Sequence, residues 1–302
     1  MKRKFLSALF ILAALTSTAN AENTVINSSS LLAKNGTQIK LDPVMSVTAE
    51  LSFYHYPALS FSDLKHHIIK SFIKSEKHFG AKDKTLLVSL HDSLSQADSI
   101  DEILKIENLL EQEIKTKTKL NADEISKVII KNILSLREDP YTRLELTKPS
   151  QNNQSKPPAI VTTRTNGDMI ISSFSAHKCM LNNSMVRNGI TVDVTNNGGG
   201  TIQCALEALG AFLPRGKHLV GTLVTNDFTK KLFVIGTQTT PTTGVVKVNS
   251  NTASSAEFFA GVLSKNGWKI RGGKTFGKVV TQYQFQSKYG VYYITIGHYK
   301  II

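Results

Sequence analysis

Val245-Val246-Lys247-Val248-Asn249-Ser250-Asn251-Thr252-Ala253-Ser254-Ser255-Ala256-Glu257 is the stretch that decides the fold class. Val245–Val248 is a short β-branched run and reads as a strand. Ala256–Leu263 then reads as a helix, so a strand passes into a helix through a polar turn. The same change occurs upstream at Asp193-Val194-Thr195-Asn196-Asn197-Gly198-Gly199-Gly200. There the strand-like run Ile190–Val194 leads through glycines into a helix expected over Ile202–Phe212. Met169–Phe174, Lys217–Val224, Leu232–Ile235, Val279–Phe285 and Val291–Ile296 are further strand-like runs. Strands alternating with helices predict an α/β domain over residues 160–302.

The texture upstream is helical. Ser62 reads as the cap of a helix that carries Leu64, Ile68 and Phe72 and stops at Gly80. Ile103, Ile106, Leu110 and Ile114 keep helical spacing, and Asn121 with Glu124 opens another helix bearing Ile125, Ile129 and Ile133. Residues 22–147 are expected to form a small helical region, although 22–60 show no clear period. The polar, proline-containing stretch 148–159 reads as a linker.

Lys2, Arg3 and Lys4 precede an apolar run, Phe5–Leu15, too short to span a bilayer. Ala19-Asn20-Ala21 follows as a small-x-small site. This order predicts a signal peptide over residues 1–21, cleaved before Glu22, and a periplasmic or secreted protein. The formal net charge is +13. Such a balance favours anionic lipid at an envelope surface or acidic protein as partners, although the lysines are dispersed as on any solvated surface; export excludes nucleic acid as the natural partner. An oxidising compartment permits a disulfide between Cys179 and Cys204, while two separate buried thiols fit the sequence equally well. His66 and His67 are adjacent on a helix and are expected to point to different faces, which argues against a metal pair.

Three segments are suited to chemistry. The glycines of Asp193–Gly200, ahead of a helix N-terminus, can turn backbone N–H groups toward an oxyanion or phosphate, or can simply form a turn. Ser254 at a helix start is a candidate exposed nucleophile, although Ser254 with Glu257 also forms a capping box. In Gly272-Gly273-Lys274-Thr275-Phe276-Gly277-Lys278, a phosphate-loop reading fails because Trp268 stands where its first glycine is required. A desolvated lysine can instead act as a base, whereas a surface lysine stays protonated. No Asp or Glu lies within ten residues of Lys278.

Taken in order, these segments resemble the C-terminal processing, or tail-specific, peptidase family. Asp193–Gly200 is similar to its Asp-Leu-Arg-Asn-Asn-Pro-Gly-Gly turn, and Ala211–Gly216 to the Leu-Phe-Leu-Pro-x-Gly that follows. Asn249–Glu257 resembles Asn-x-Gly-x-Ala-Ser-Ala-Ser-Glu. Thr275-Phe276-Gly277-Lys278 matches Thr-Phe-Gly-Lys, with Gln282 at the downstream glutamine, and Asp139-Pro140-Tyr141-Thr142-Arg143 matches the segment ahead of the catalytic region. The resemblance implies a ClpP/crotonase-like α/β core and no metal or organic cofactor. It implies Ser254 as nucleophile, Lys278 as base, Gln282 as the residue orienting the lysine, and the amides of Gly199 and Ser255 as oxyanion hole. Ser255 and Lys274 are the local rivals of Ser254 and Lys278.

The sequence also departs from the family. The stretch between Arg143 and Met169 is too short for the usual PDZ domain. Thr195 and Gly198 replace an arginine and a proline, and Val279 replaces the glycine after the lysine. The expected function is an exported serine endopeptidase acting on proteins. The alternative is a non-catalytic binding scaffold on the same fold.

Overall fold

The computed structural model describes residues 42–79, 85–118, 120–145, 161–175 and 179–302, with the backbone of three short strands ahead of them. The segments expected to be signal peptide and linker lie outside the described residues. In chain order the elements are β1 (Ile26–Asn27), β2 (Ser30–Leu32), β3 (Gln38–Lys40), α1 (Pro43–Tyr54), α2 (Phe61–Phe79), α3 (Thr85–Gln96), α4 (Ile100–Lys117), α5 (Ala122–Ile133), β4 (Arg143–Glu145), β5 (Val161–Thr163) and β6 (Met169–Ile171). They continue with β7 (Thr191–Asp193), α6 (Ile202–Leu209), β8 (Gly216–Thr225), β9 (Thr229–Gly236), β10 (Val245–Val248), α7 (Ser255–Lys265), β11 (Lys269–Gly272), β12 (Val280–Ser287) and β13 (Gly290–Ile301). No described helix is long and apolar enough to cross a membrane.

The chain divides into two compact units, Met1–Gln151 with Gln282–Ile296, and Asn152–Thr281 with Gly297–Ile302. The expected boundary at residue 160 therefore misses that residues 282–296 belong with the helices. Their aromatic side chains explain this. Phe285 and Tyr292 stack at 5.2 Å between centroids and join the core of Leu51, Phe72, Leu110 and Ile129.

α1 is the element the sequence hid. Asp42 caps it by accepting the N–H groups of Val44 (2.8 Å) and Met45 (3.0 Å), and Pro43 stands in its first turn. It is buried on nearly every side, so it has no polar face to reveal a helical period. α2 starts two residues earlier than expected. Ser60, not Ser62, accepts the Asp63 N–H at 3.0 Å, and the ring of Phe61 is already in the helix.

In the other unit, β6, β7, β10 and β11 run parallel, and β5 adds antiparallel at the edge. β8 and β9 pair as a hairpin, and β8 pairs with residues 297–301 of β13. α6 and α7 cover this sheet system through Leu209, Phe258, Phe259 and Leu263, which are buried with Phe212, Val192, Val246 and Trp268. β6 is shorter than the expected Met169–Phe174, because the chain leaves the strand to bond with the glycine turn: Phe174 N–H donates to Gly199 O at 2.9 Å. α6 stops at Leu209, where Gly210 caps it.

Candidate active site

The parallel order β7–β10–β11 brings two strand-to-helix turns side by side. The turn after β10 is built from its own polar side chains. Thr252 Oγ1 accepts the Asn249 N–H (3.0 Å) and donates to Val194 O (2.9 Å), and Asn249 Oδ1 accepts the Asn251 N–H (3.0 Å). Ala253 N–H donates to Asn197 O at 3.0 Å, joining this turn to the glycine turn. The chain then reaches Ser254 with φ 57° and ψ −127°. A non-glycine residue takes such a conformation only when its surroundings hold it there.

Ser254 and Glu257 form a capping box, in which the Ser254 N–H donates to Glu257 Oε2 at 2.8 Å. Ser254 also lines a pocket of about 300 Å³ with Phe258, Val279, Tyr299, Lys300 and Ile301. Its rival Ser255 is 1% exposed and donates its hydroxyl to Gly200 O at 3.1 Å.

Glu257 also holds the lysine loop. Oε1 accepts the Gly277 N–H and Oε2 the Lys278 N–H, both at 2.8 Å, while Phe276 N–H donates to Thr252 O at 3.0 Å. Three successive amides of Phe276-Gly277-Lys278 thus dock on the serine turn. Lys278 is half-buried and Lys274 exposed. The sequence around Lys278 holds no acid, but the fold brings Glu257, 21 residues away, against its main chain. Sequence reasoning saw Glu257 only as a cap. Its position at the end of the Asn249–Glu257 motif was the signal for more. Gln282 belongs by its contacts to the helical unit, where its Nε2 donates to Tyr141 O at 2.7 Å.

In the glycine turn, Asn197 is fully buried. Its Nδ2 donates to Ile171 O (3.0 Å), and its Oδ1 accepts the Gly199 N–H (2.8 Å). The expected oxyanion donor Gly199 is therefore engaged by a side chain in this structure. Ser255, at the first position of α7, has one of the amides that a helix leaves without an intrahelical acceptor. Gly199 itself is dictated by sterics. At φ 99° a Cβ would meet Ala253 O and Ser254 Cβ at 2.8 Å. Behind this turn Cys179 and Cys204 are joined in a disulfide, Cα–Cα 5.0 Å. Cys204 lies in α6, and Cys179 in a loop ahead of a single 3₁₀ turn, Asn183–Met185. Among the described residues no group of three or more His, Cys, Asp or Glu is placed to hold a metal ion.

The family model described as Peptidase family S41 matches residues 172–301. No curated protein matches the chain. Among solved structures, the photosystem II D1 C-terminal processing protease is 24% identical with a TM-score of 0.38, over 44% of this chain and 37% of that one. The match thus spans little more than a third of that protein. A lipoprotein from Streptococcus agalactiae is 15% identical with a TM-score of 0.48, over 78% of this chain and 85% of that one. Mature CPAF is 13% identical with a TM-score of 0.33, over 47% and 45%. The residues matched by the family model include the glycine turn, the Ser254 turn and the Lys278 loop, so the likeness to peptidase family S41 covers the candidate site.

Proposed function

We propose that the chain is an exported serine endopeptidase with a ClpP/crotonase-like catalytic core, hydrolysing peptide bonds of protein substrates. Ser254 Oγ attacks the carbonyl carbon of the scissile bond and its proton passes to the neutral amine of Lys278. The tetrahedral oxyanion is held by the Ser255 amide and, once Asn197 yields it, the Gly199 amide. The C–N bond breaks as the lysine ammonium returns the proton to the leaving amine. Water, deprotonated by Lys278, then releases the acyl group and regenerates Ser254. Gln282 orients the lysine.

One observation carries this reading: a single carboxylate, Glu257, ties the main chains of Ser254 and Lys278 together beside the pocket that Ser254 lines. The test is hydrolysis of an unfolded protein by wild type and by Ser254→Ala. Wild type should cleave and the variant should not; equal cleavage by both would remove Ser254 from the reaction. Export predicts protein that begins at Glu22 in the extracytoplasmic fraction, and recovery of Met1 from the cytoplasm would refute it.

The second reading, a non-catalytic binder, is favoured by the Gly199 amide being taken by Asn197. It predicts ligand retention in the Ser254 pocket and no cleavage by any form.

A further inference from the structure

The helical unit has a pocket of its own, of about 270 Å³, lined by Asp63, His66, His67, Lys70, Ser71, Lys74, Asn132, Ser135 and Arg137. The residues from α2 recur at helical spacing, 63, 66, 67, 70, 71 and 74, and so form one stripe. Leu64, Ile68 and Phe72, on the opposite face of the same helix, fill the core. His66 and His67, expected to diverge, both border the pocket.

The acceptors at its base are already used. His67 Nε2 bonds Ile133 O at 2.6 Å, Ser71 Oγ donates to Asn132 O at 3.1 Å, and Ser135 Oγ donates to Lys131 O at 2.6 Å. These bonds finish the C-terminal end of α5. The cations are what remains. Among the described residues, Lys70, Lys74 and Arg137 form no ion pair, and the one acid, Asp63, is bonded to Ser60. The field is felt at His67: burial lowers its proton affinity, and the charges of His55, Lys70 and His66 lower it further, against the raising effect of the bond to Ile133 O.

We propose that this pocket binds a carboxylate of a peptide ligand through Lys70, Lys74 and Arg137. The carboxylate is either a free C-terminus or an Asp or Glu side chain. That the ligand is a peptide rests on the peptidase reading; that it is anionic rests on the pocket. The negative end of α5 also attracts cations, but a purely electrostatic complement to a helix end would not discriminate between peptides.

The experiment uses full-length protein carrying Ser254→Ala, so that no ligand is consumed. Three labelled peptides of one apolar sequence are compared by fluorescence anisotropy: one with a free C-terminus, one amidated, and one amidated with an internal glutamate. A carboxylate peptide should bind more tightly than the plain amide, displace the His67 ring signals in NMR, and weaken as salt rises. Binding by the free acid alone assigns the C-terminus, and binding by the glutamate peptide assigns the side chain. Lys70→Gln/Lys74→Gln/Arg137→Gln should weaken binding roughly tenfold, and Arg137→Gln alone severalfold, with the circular dichroism spectrum unchanged. Lys230→Gln/Lys231→Gln, on β9, should have no effect. Equal binding of all three peptides, binding by none, or an unaffected triple variant would overturn the proposal. Cleavage by the Ser254 protein is scored separately: binding without cleavage removes the catalytic reading and leaves the pocket standing.

Discussion

The unit that carries Ser254 buries mostly neutral polar side chains, whereas the helical unit buries carboxylates. Asn197 and Thr252 are fully buried, and each has both donor and acceptor functions bonded to main chain around the serine and glycine turns. Neutral amides and hydroxyls keep their bonds across the whole working pH range, so these four bonds do not titrate. The helical unit encloses Glu50, Glu107, Glu111 and Asp139. Buried acids make stability depend on pH. Asn197 and Thr252 should therefore add nothing to the pH dependence of stability, to which the buried acids of the helical unit contribute.

The largest effect expected is on the reaction. Lys278→Arg keeps a charged, hydrogen-bonding side chain that stays protonated. It should lower kcat/KM on the order of 10⁴-fold, as Ser254→Ala should, with unfolding midpoints close to wild type. Lys274→Arg, on an exposed side chain, should change nothing. Wild-type rates in Lys278→Arg would break the assignment of that lysine as base.

Next in size is the disulfide. It closes a loop of 25 residues around the glycine turn. Loop-closure entropy puts its contribution at about 3 kcal/mol. Cys179→Ser/Cys204→Ser should lose that much in denaturant unfolding, and in the unit that holds Ser254. An unchanged midpoint would mean that packing of Cys204 among buried Ala205 and Leu209 already fixes α6.

The two units also differ in how far the sequence exposed them. In the Ser254 unit each strand-to-helix turn left a local signature of glycine, asparagine or serine next to a β-branched run, and the strands Val245–Val248 and Thr191–Asp193 fall where the periodicity put them. The site's long-range partners left none. Glu257 reaches Gly277 and Lys278 across twenty residues, and Asn197 takes the Gly199 amide, a choice between acceptors that only the folded turn decides. In the helical unit α2, α4 and α5 were legible because each has a polar face. α1 was not, since it has none, and neither was the membership of Gln282–Ile296, which depends on tertiary packing of Phe285 and Tyr292.

A smaller effect separates two acids of the helical unit by the direction of their pH response. Burial alone would raise Asp139. Hydrogen bonds from His55 (3.1 Å), the Thr142 hydroxyl and the Tyr141 N–H (3.0 Å) outweigh it and hold the carboxyl at about 2, against an ordinary 3.8. A depressed folded value means that stability is present above the unfolded value and lost as pH falls through about 2. The contribution is about 2 kcal/mol. Asp139→Asn should be less stable than wild type at neutral pH, and the difference should close between about pH 4 and pH 2, as followed by urea unfolding. A constant difference across that window would mean that shape, not charge, matters at Asp139.

Glu107 should give the smallest effect, with the opposite slope. Its carboxyl is fully buried, and burial raises its proton affinity well above the ordinary value. The bond from Thr48 Oγ1 (2.7 Å) acts against this, and the charges of Asp42 and Glu111 act with it. Oε2 has no partner. The folded state therefore holds the proton more tightly than the unfolded chain. Stability is full below the unfolded value of 4.5 and declines as pH rises from there toward the folded value. Glu107→Gln removes the ionisation, keeps an oxygen for Thr48, and leaves an amide where the unpartnered oxygen was. An unpaired amide costs less to bury than a carboxylate forced to ionise. The variant should equal or exceed wild type by about 1 kcal/mol above neutral pH and lose its advantage in acid. Paired urea titrations at pH 5 and pH 9 read the difference directly. A variant less stable at pH 9 by the same margin as at pH 5 would show that Glu107 is buried for its shape and its bond to Thr48, not for its ionisation.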